Sequence, residues 1–208
     1  MTPFYISLHL FDPLGPIQVA ESGTYGGDAR LFVVHARSLA EALGEVLEVI
    51  ADQSCRLLRI GHAGPLADYL PDYFPFPADV AELAAQAQDG PVSTPAYSFE
   101  PWGADVTSGV SIAVLDVYDP SMEGGEPYDG ELTLAAAPGT PEEALRTLLD
   151  VLEDSNVRLK KLEDLRESAE ASPDEYDDDW PLLDIVAEAG ESGGPAFSPA
   201  FVYEAEEN

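Results

Sequence analysis

Positive charge is the scarcest property of this chain. Its 208 residues include nine lysines and arginines, against 40 aspartates and glutamates, and Lys160 and Lys161 are the only lysines. The net charge of −31 at pH 7 repels phosphate groups, which excludes direct binding to nucleic acid or to an anionic membrane surface. The same charge favours either a basic protein as partner or a salt-rich cell interior.

Cysteine and long apolar runs are scarce as well. Cys55 is the single cysteine, so no internal disulfide can form, and we expect a buried thiol in a reducing cytoplasm. No run approaches the roughly 18 apolar residues that a membrane-spanning helix needs. The residues from Met1 to Leu10 alternate without a basic leader, which predicts a strand rather than a signal peptide. Hydrophobic residues still form 45% of the sequence, enough for a globular core in a cytoplasmic protein.

Groups suited to catalysis or metal binding are few. His9, His35 and His62 all lie in the first half of the chain, and no two of them have the spacing of a local zinc site. The glycine-rich residues 23–27 lack a following Lys-Ser/Thr, which predicts a hairpin loop rather than a phosphate-binding loop. No Gly-x-Ser-x-Gly motif occurs. The chain has so many carboxylates that no particular pair can be identified as a catalytic acid and base. We therefore expect no enzyme activity, no cofactor and no metal.

An internal repeat organises the chain. Residues 38–43 (SLAEAL) and 140–145 (TPEEAL) are separated by 102 residues, and this offset drifts only to 107 elsewhere. Such a period indicates a tandem duplication, and a unit of about 100 residues can bury its own core. We predict two domains, residues 1–103 and 104–208. Further pairs recur in the same order: Phe11-Asp12-Pro13 with Tyr118-Asp119-Pro120, and 95–100 with 199–204.

Each copy has the same predicted order of elements, ββαβαβ. Apolar residues at helical spacing predict helices at 39–50 and 141–152, and Ser38 with Glu41, like Thr140 with Glu143, predicts a capping box. The order predicts an α+β fold with the helices packed on one face of a mixed or antiparallel sheet. We expect a monomer when free, with the copies related by a pseudo-two-fold that hides one sheet edge of each. The other predicted elements are strands at 4–11, 30–36, 55–60, 96–100, 109–118, 131–137, 157–162 and 200–204, and helices at 78–88 and 182–189.

The copies differ most between their third strand and second helix. The first copy has an aromatic, proline-rich segment at 65–77, and the second an acidic segment at 163–180. Residues 1–103 hold 13 acidic and four basic residues, a balance of −9, whereas residues 104–208 hold 27 and five, a balance of −22. Adaptation to salt would acidify both copies alike, so the uneven charge favours a surface made to bind a basic partner.

The predicted binding surface combines charge with aromatic side chains. A field of carboxylates attracts a basic partner, and aromatic rings supply the desolvated contacts that provide binding energy. A plain solvated loop is the alternative, and calcium is disfavoured because no Asp-x-Asp-x-Asp-Gly loop occurs. Replacing Asp177, Asp178 and Asp179 together with alanine should slow association and flatten its salt dependence. The predicted partner-binding residues are Asp174, Glu175, Tyr176, Asp177, Asp178, Asp179, Trp180, Tyr69, Asp72, Tyr73 and Phe74.

These features predict a non-enzymatic, acidic binding protein that neutralises a basic protein. An immunity protein or antitoxin against a nuclease-like toxin fits the charge, as does a DNA mimic whose carboxylates stand where phosphates normally sit. Two alternatives stay open. One is an enzyme or small-ligand protein with a site between the copies, and the other is a salt-adapted scaffold domain with an evenly acidic surface.

Overall fold

The computed structural model describes six stretches of the chain: residues 1–11, 27–74, 76–99, 109–122, 129–176 and 181–203. The chain divides into two compact units, Met1–Val106 (unit 1) and Thr107–Asn208 (unit 2). Both are α+β, and all the described strand pairs within them are antiparallel. Within the described stretches, no helix combines the length and apolar character needed to cross a membrane. The hairpin loop predicted at residues 23–27 falls outside the described residues, apart from Gly27.

Unit 1 is built on three long strands. The central strand, β1, pairs with β2 on one side and β3 on the other, and two short strands, β4 and β5, also pair with β2. Two 3-10 turns, Leu66–Asp68 and Pro71–Tyr73, connect β3 toward the second helix. The elements are β1 (Thr2–Phe11), β2 (Gly27–Ala36), α1 (Leu39–Asp52), β3 (Arg56–Pro65), α2 (Val80–Gln86), β4 (Val92–Ser93) and β5 (Tyr97–Phe99).

Unit 2 has the same order of elements. Its central strand, β6, pairs with β7 and β8, and β7 also pairs with the short strands β9 and β10. Two 3-10 turns, Ser168–Glu170 and Pro173–Glu175, again follow the third long strand. The elements are β6 (Val110–Tyr118), β7 (Gly130–Pro138), α3 (Pro141–Asp154), β8 (Arg158–Glu167), α4 (Leu182–Ser192), β9 (Ala196–Phe197) and β10 (Phe201–Tyr203).

The two long helices begin at the predicted caps, but only one of them has a complete capping box. At α3, the Thr140 hydroxyl accepts from the Glu143 amide, and the Glu143 carboxylate accepts from the Thr140 amide at 2.9 Å. At α1, the Ser38 hydroxyl accepts from the Glu41 amide at 3.2 Å. The Glu41 carboxylate turns instead to the Arg37 amide, 2.7 Å away, and to the Arg37 guanidinium. The predicted box at α1 is therefore half formed, because the preceding arginine competes for the carboxylate.

The helices of unit 1 lie on opposite faces of its sheet, which corrects the expectation that they cover one face. In β2, Leu31 and Val33 pack with Leu83 of α2. Phe32 and Val34 are equally buried but point the other way, since successive side chains of a strand alternate. Helix α1 contacts β1, β2 and β3 and has its own buried stripe outside that cluster. The run of four apolar residues thus reflects two helical layers rather than one.

The third strand of each unit is longer than predicted. Strands β3 and β8 continue to Pro65 and Glu167, so the first residues of both variable segments belong to the sheet. Each strand pairs with its central neighbour through two register shifts. A β-bulge adds one residue and exchanges the faces of those that follow. The polar sequence of β8 therefore does not show an alternating pattern, although Leu162 and Leu165 are fully buried.

Candidate functional site

The turns after β3 form a surface that we call the aromatic surface of unit 1, made of Tyr69, Leu70, Asp72 and Tyr73. Tyr73 stacks on the buried Tyr5 at a centroid distance of 5.8 Å, and Tyr69 meets Tyr5 edge-on at 5.2 Å. The imidazole of His62, on β3, stacks on Tyr73 at 4.1 Å. Tyr69 and Tyr73 stay partly exposed, and Asp72 is exposed. The ring stack therefore holds the predicted aromatic residues at the surface, next to a carboxylate.

Phe74 belongs to the core, which corrects its prediction as a surface contact. Only 2% of its area is exposed, and its ring packs with Leu83 and Ala87 of the α2 region. It lies edge-on to Phe76 and Tyr97, whose rings are stacked 4.8 Å apart. A ring enclosed in this way stabilises unit 1 and leaves no area for a partner.

Leu70 is an exposed apolar residue that the sequence reasoning did not single out. It is 53% exposed, at the junction of the two 3-10 turns. In unit 2, 102 residues later, the corresponding position is held by Ser172. The fold therefore does not require an apolar residue there, and this difference between the copies is the signal that could have identified it.

The acidic segment of unit 2 is attached to the sheet by Arg166, on β8. Its Nη1 donates to the Glu170 carbonyl at 3.3 Å, and its Nη2 donates to the Glu175 carboxylate and to the Tyr176 hydroxyl at 3.2 Å. Asp164 Oδ2 lies 2.9 Å from Nε. Burial opposes the charged guanidinium, but hydrogen bonds with Glu175 and Tyr176 and the charge of Asp164 outweigh burial and raise the pKa of Arg166.

This attachment involves two of the predicted binding residues, Glu175 and Tyr176. Glu175, predicted to bind a partner, forms an ion pair with Arg166 within the unit. The ring of Tyr176 packs against the core between the sheet and α4. Asp174 is exposed. Asp177, Asp178, Asp179 and Trp180 lie outside the described residues.

A second group of ionisable side chains surrounds Asp116 in unit 2. Asp116 is 6% exposed and accepts a hydrogen bond from the Tyr203 hydroxyl of β10. Lys160 Nζ lies 3.1 Å from that hydroxyl and 3.2 Å from Asp129 Oδ2. Burial raises the pKa of Asp116, although Tyr203, Lys160 and Lys161 oppose that shift.

The matching position in unit 1 is His9, since both residues sit at the second register shift of their central strand. Burial, and then the charge of Arg59, lowers the pKa of His9 to about 4. Both copies thus hold an ionisable group at this position and favour its neutral form. Sequence reasoning named His9 only among the three histidines without zinc-site spacing, and missed this shared property.

The outer face of α4 is acidic. Asp184, Glu188 and Glu191 are exposed and line a shallow groove of about 490 Å³ together with Ala187 and Ser192. Because their spacing is i, i+4 and i+7, they share one face of the helix. The helices α2 and α4 begin 102 residues apart, and their buried positions keep that offset, which places Glu82, Gln86 and Asp89 opposite Asp184, Glu188 and Glu191. Glu188 is therefore specific to unit 2, whereas the other two positions are acidic in both units.

Comparison of the chain with known protein families, curated proteins and solved structures yields no match. Among the residues that the structure describes, no three histidine, cysteine, aspartate or glutamate side chains are placed to share a metal ion. The aromatic surface of unit 1 and the acidic face of α4 in unit 2 are two described features that face solvent.

Proposed function

We propose that this chain is a non-enzymatic, acidic binding protein that neutralises a basic protein by covering its working surface. Within this class, an immunity protein or antitoxin against a nuclease-like toxin fits best, and a DNA mimic is the second form. The uneven charge supports the proposal, because Ala51 and Gln86 of unit 1 are replaced in unit 2 by Glu153 and Glu188. Both of these carboxylates are exposed. Exposed charge added to one copy of a fold accelerates encounter with a partner of opposite sign.

The proposal includes a tandem duplication of one ββαβαβ unit, with a pseudo-two-fold between the copies. Three features that occur in both units support the duplication. The order of elements is the same. The register shifts of the central strands fall at matching positions. Ser54 and Asn156, 102 residues apart, both follow their helix with a φ of 56°, a backbone conformation that is uncommon outside glycine.

The aromatic surface of unit 1 is proposed to supply apolar contact to the same partner. Leu70, Tyr69 and Tyr73 present apolar area beside the exposed carboxylate of Asp72. Tyrosine rings bind lysine and arginine side chains through cation–π contacts, which a neighbouring carboxylate strengthens. Asp72 has a counterpart in the exposed Asp174 of unit 2, so both copies present an acid on the second turn. The single, buried Cys55 accords with action in the reducing cytoplasm.

The test compares two charge-neutralised variants with the same change in net charge. One is Asp184→Asn with Glu188→Gln and Glu191→Gln on α4, and the matched control is Glu45→Gln with Glu48→Gln and Asp52→Asn on α1. Basic proteins retained from a lysate of the source cell are eluted with rising salt, purified, and their association rates with each variant are measured. We expect the α4 variant to slow association several-fold and to reduce its salt dependence, and the α1 variant to change both less.

Two results would count against the proposal. The first is a lysate that yields no basic protein retained at low salt and released at high salt. The second is a purified complex whose association rate and salt slope change equally in the α4 and α1 variants, because only net charge would then matter.

A further inference from the structure

We propose that Arg166 is the positioning residue that holds the acidic segment of unit 2 against its sheet, and that this ion cluster replaces the ring stack that holds the matching turns of unit 1. The inference deepens the proposed function, on which its consequence for binding rests, because Arg166 then determines where Asp174 stands relative to α4. The docking itself can be measured without any partner.

The geometry places one guanidinium at the junction of three parts of the chain. On its own strand it meets Asp164 at 2.9 Å. It donates to the Glu170 carbonyl at the end of the first turn, and to Glu175 and Tyr176 at the end of the second. Only 9% of the Arg166 side chain is exposed. A single buried side chain thus ties both 3-10 turns to β8, and its removal leaves several acceptors without their donor.

The second observation is a concerted replacement between the copies. At a constant offset of 102 residues, Asp164, Arg166 and Glu175 occupy the positions of His62, Gly64 and Tyr73. In unit 1, His62 and Tyr73 stack with their rings 26° apart. In unit 2 the same two positions carry carboxylates on either side of the guanidinium.

The three changes depend on one another physically. A buried arginine without its carboxylates leaves an uncompensated charge, and the two carboxylates held close together without the arginine repel each other. The ring stack of His62 and Tyr73 needs neither an arginine nor a carboxylate. Both arrangements perform the same task, which is to dock the two turns that lead into the variable segment, and Pro71 and Pro173 begin the second turn in both copies.

Amide hydrogen exchange on the full-length chain tests the proposal. The turn amides of Ala171 and Glu175 donate to the Ser168 and Ser172 carbonyls at 3.1 and 3.0 Å. Arg166→Met, which keeps most of the side-chain volume, should raise their exchange rates at least tenfold. The matching amides of unit 1, at Tyr69 and Tyr73, are the internal control and should change less than twofold.

A transplant separates positioning from general stability. The triple variant Asp164→His, Arg166→Gly and Glu175→Tyr introduces the unit 1 stack into unit 2, and we expect turn-amide exchange to return to within threefold of wild type. Should Arg166→Met fail to fold, Glu175→Gln keeps the arginine and should still raise exchange at Ala171 and Glu175 about threefold.

The inference is overturned if Arg166→Met or Glu175→Gln leaves the turn amides unchanged. It is also overturned if exchange rises equally in the turns and in the β6 and α3 amides, since that pattern is global destabilisation. The transplant failing to restore protection would refute the equivalence of stack and ion cluster. A chain that captures no basic protein would remove the proposed function but not the exchange result, so the two failures are distinguishable.

Discussion

Replacing His9 by asparagine should make unit 1 less sensitive to acid. His9 lies on β1, opposite Arg59 of β3 in the strand register. Burial, and then the charge of Arg59, lowers its pKa from 6.5 to about 4. Asparagine keeps a polar side chain of moderate size at this position and removes the titration.

The magnitude follows from the pKa difference between the folded and unfolded chain. As the pH falls through 6.5, the unfolded chain binds a proton at His9 that the folded chain binds only near pH 4. The free energy of unfolding therefore falls as the pH drops from 6.5 to about 4, and the stabilising contribution of neutral His9 is complete only above this range. A pKa lowered from 6.5 to about 4 corresponds to a loss of about 3 kcal/mol between neutral pH and pH 4. The loss attributable to His9 should be absent in His9→Asn.

The assay is urea denaturation followed by circular dichroism at several values between pH 7 and pH 4. As the pH falls, the free energy of unfolding of the wild type should decrease by up to about 3 kcal/mol relative to that of His9→Asn. Part of the acid sensitivity should remain in the variant, because burial and Arg59 also lower the pKa of His62. Ser7→Ala is the control, since Ser7 is buried on the same strand and does not titrate. Parallel pH profiles for wild type and His9→Asn would refute the reasoning.

Two further predictions concern unit 2 and the helix caps. Burial raises the pKa of Asp116, so the stability gained from its protonation is lost as the pH rises through that pKa. The variant Asp116→Asn keeps an acceptor for the Tyr203 hydroxyl and cannot ionise, so it should be more stable than wild type at pH 7. The advantage should shrink on acidification in urea titrations, and an advantage that grows would contradict the burial argument. Thr140→Ala and Ser38→Ala should each cost about 1 kcal/mol by the same method, because both hydroxyls accept from the third helical amide. Thr140→Ser is the control, and a loss as large as that of Thr140→Ala would show that the cap bond is not the cause.

The helices α1 and α3 were predictable because their signals are local. Their apolar stripes recur at helical spacing, and the hydroxyl at each start satisfies an amide that the helix leaves open. The one local error, at Glu41, arose from Arg37, which the capping-box pattern does not consider.

Strand lengths and helix faces were less predictable. The bulges of β3 and β8 interrupt the alternation by which strands are recognised in sequence. The apolar run Leu31–Val34 required cover on both faces, but a run of residues does not say which helix supplies each cover.

The sequence by itself determined the two long helices and the difference between an aromatic and an acidic variable segment, and it predicted the repeat. Those features follow from order, periodicity and composition along the chain. The tertiary structure decided that Phe74 is buried while Leu70, four residues earlier, is exposed, and that Glu175 is paired with Arg166. Whether these side chains are buried or paired depends on which face of the sheet the turn packs against. The contacts between turn and sheet are made by residues that are distant in the sequence, so local patterns do not reveal them.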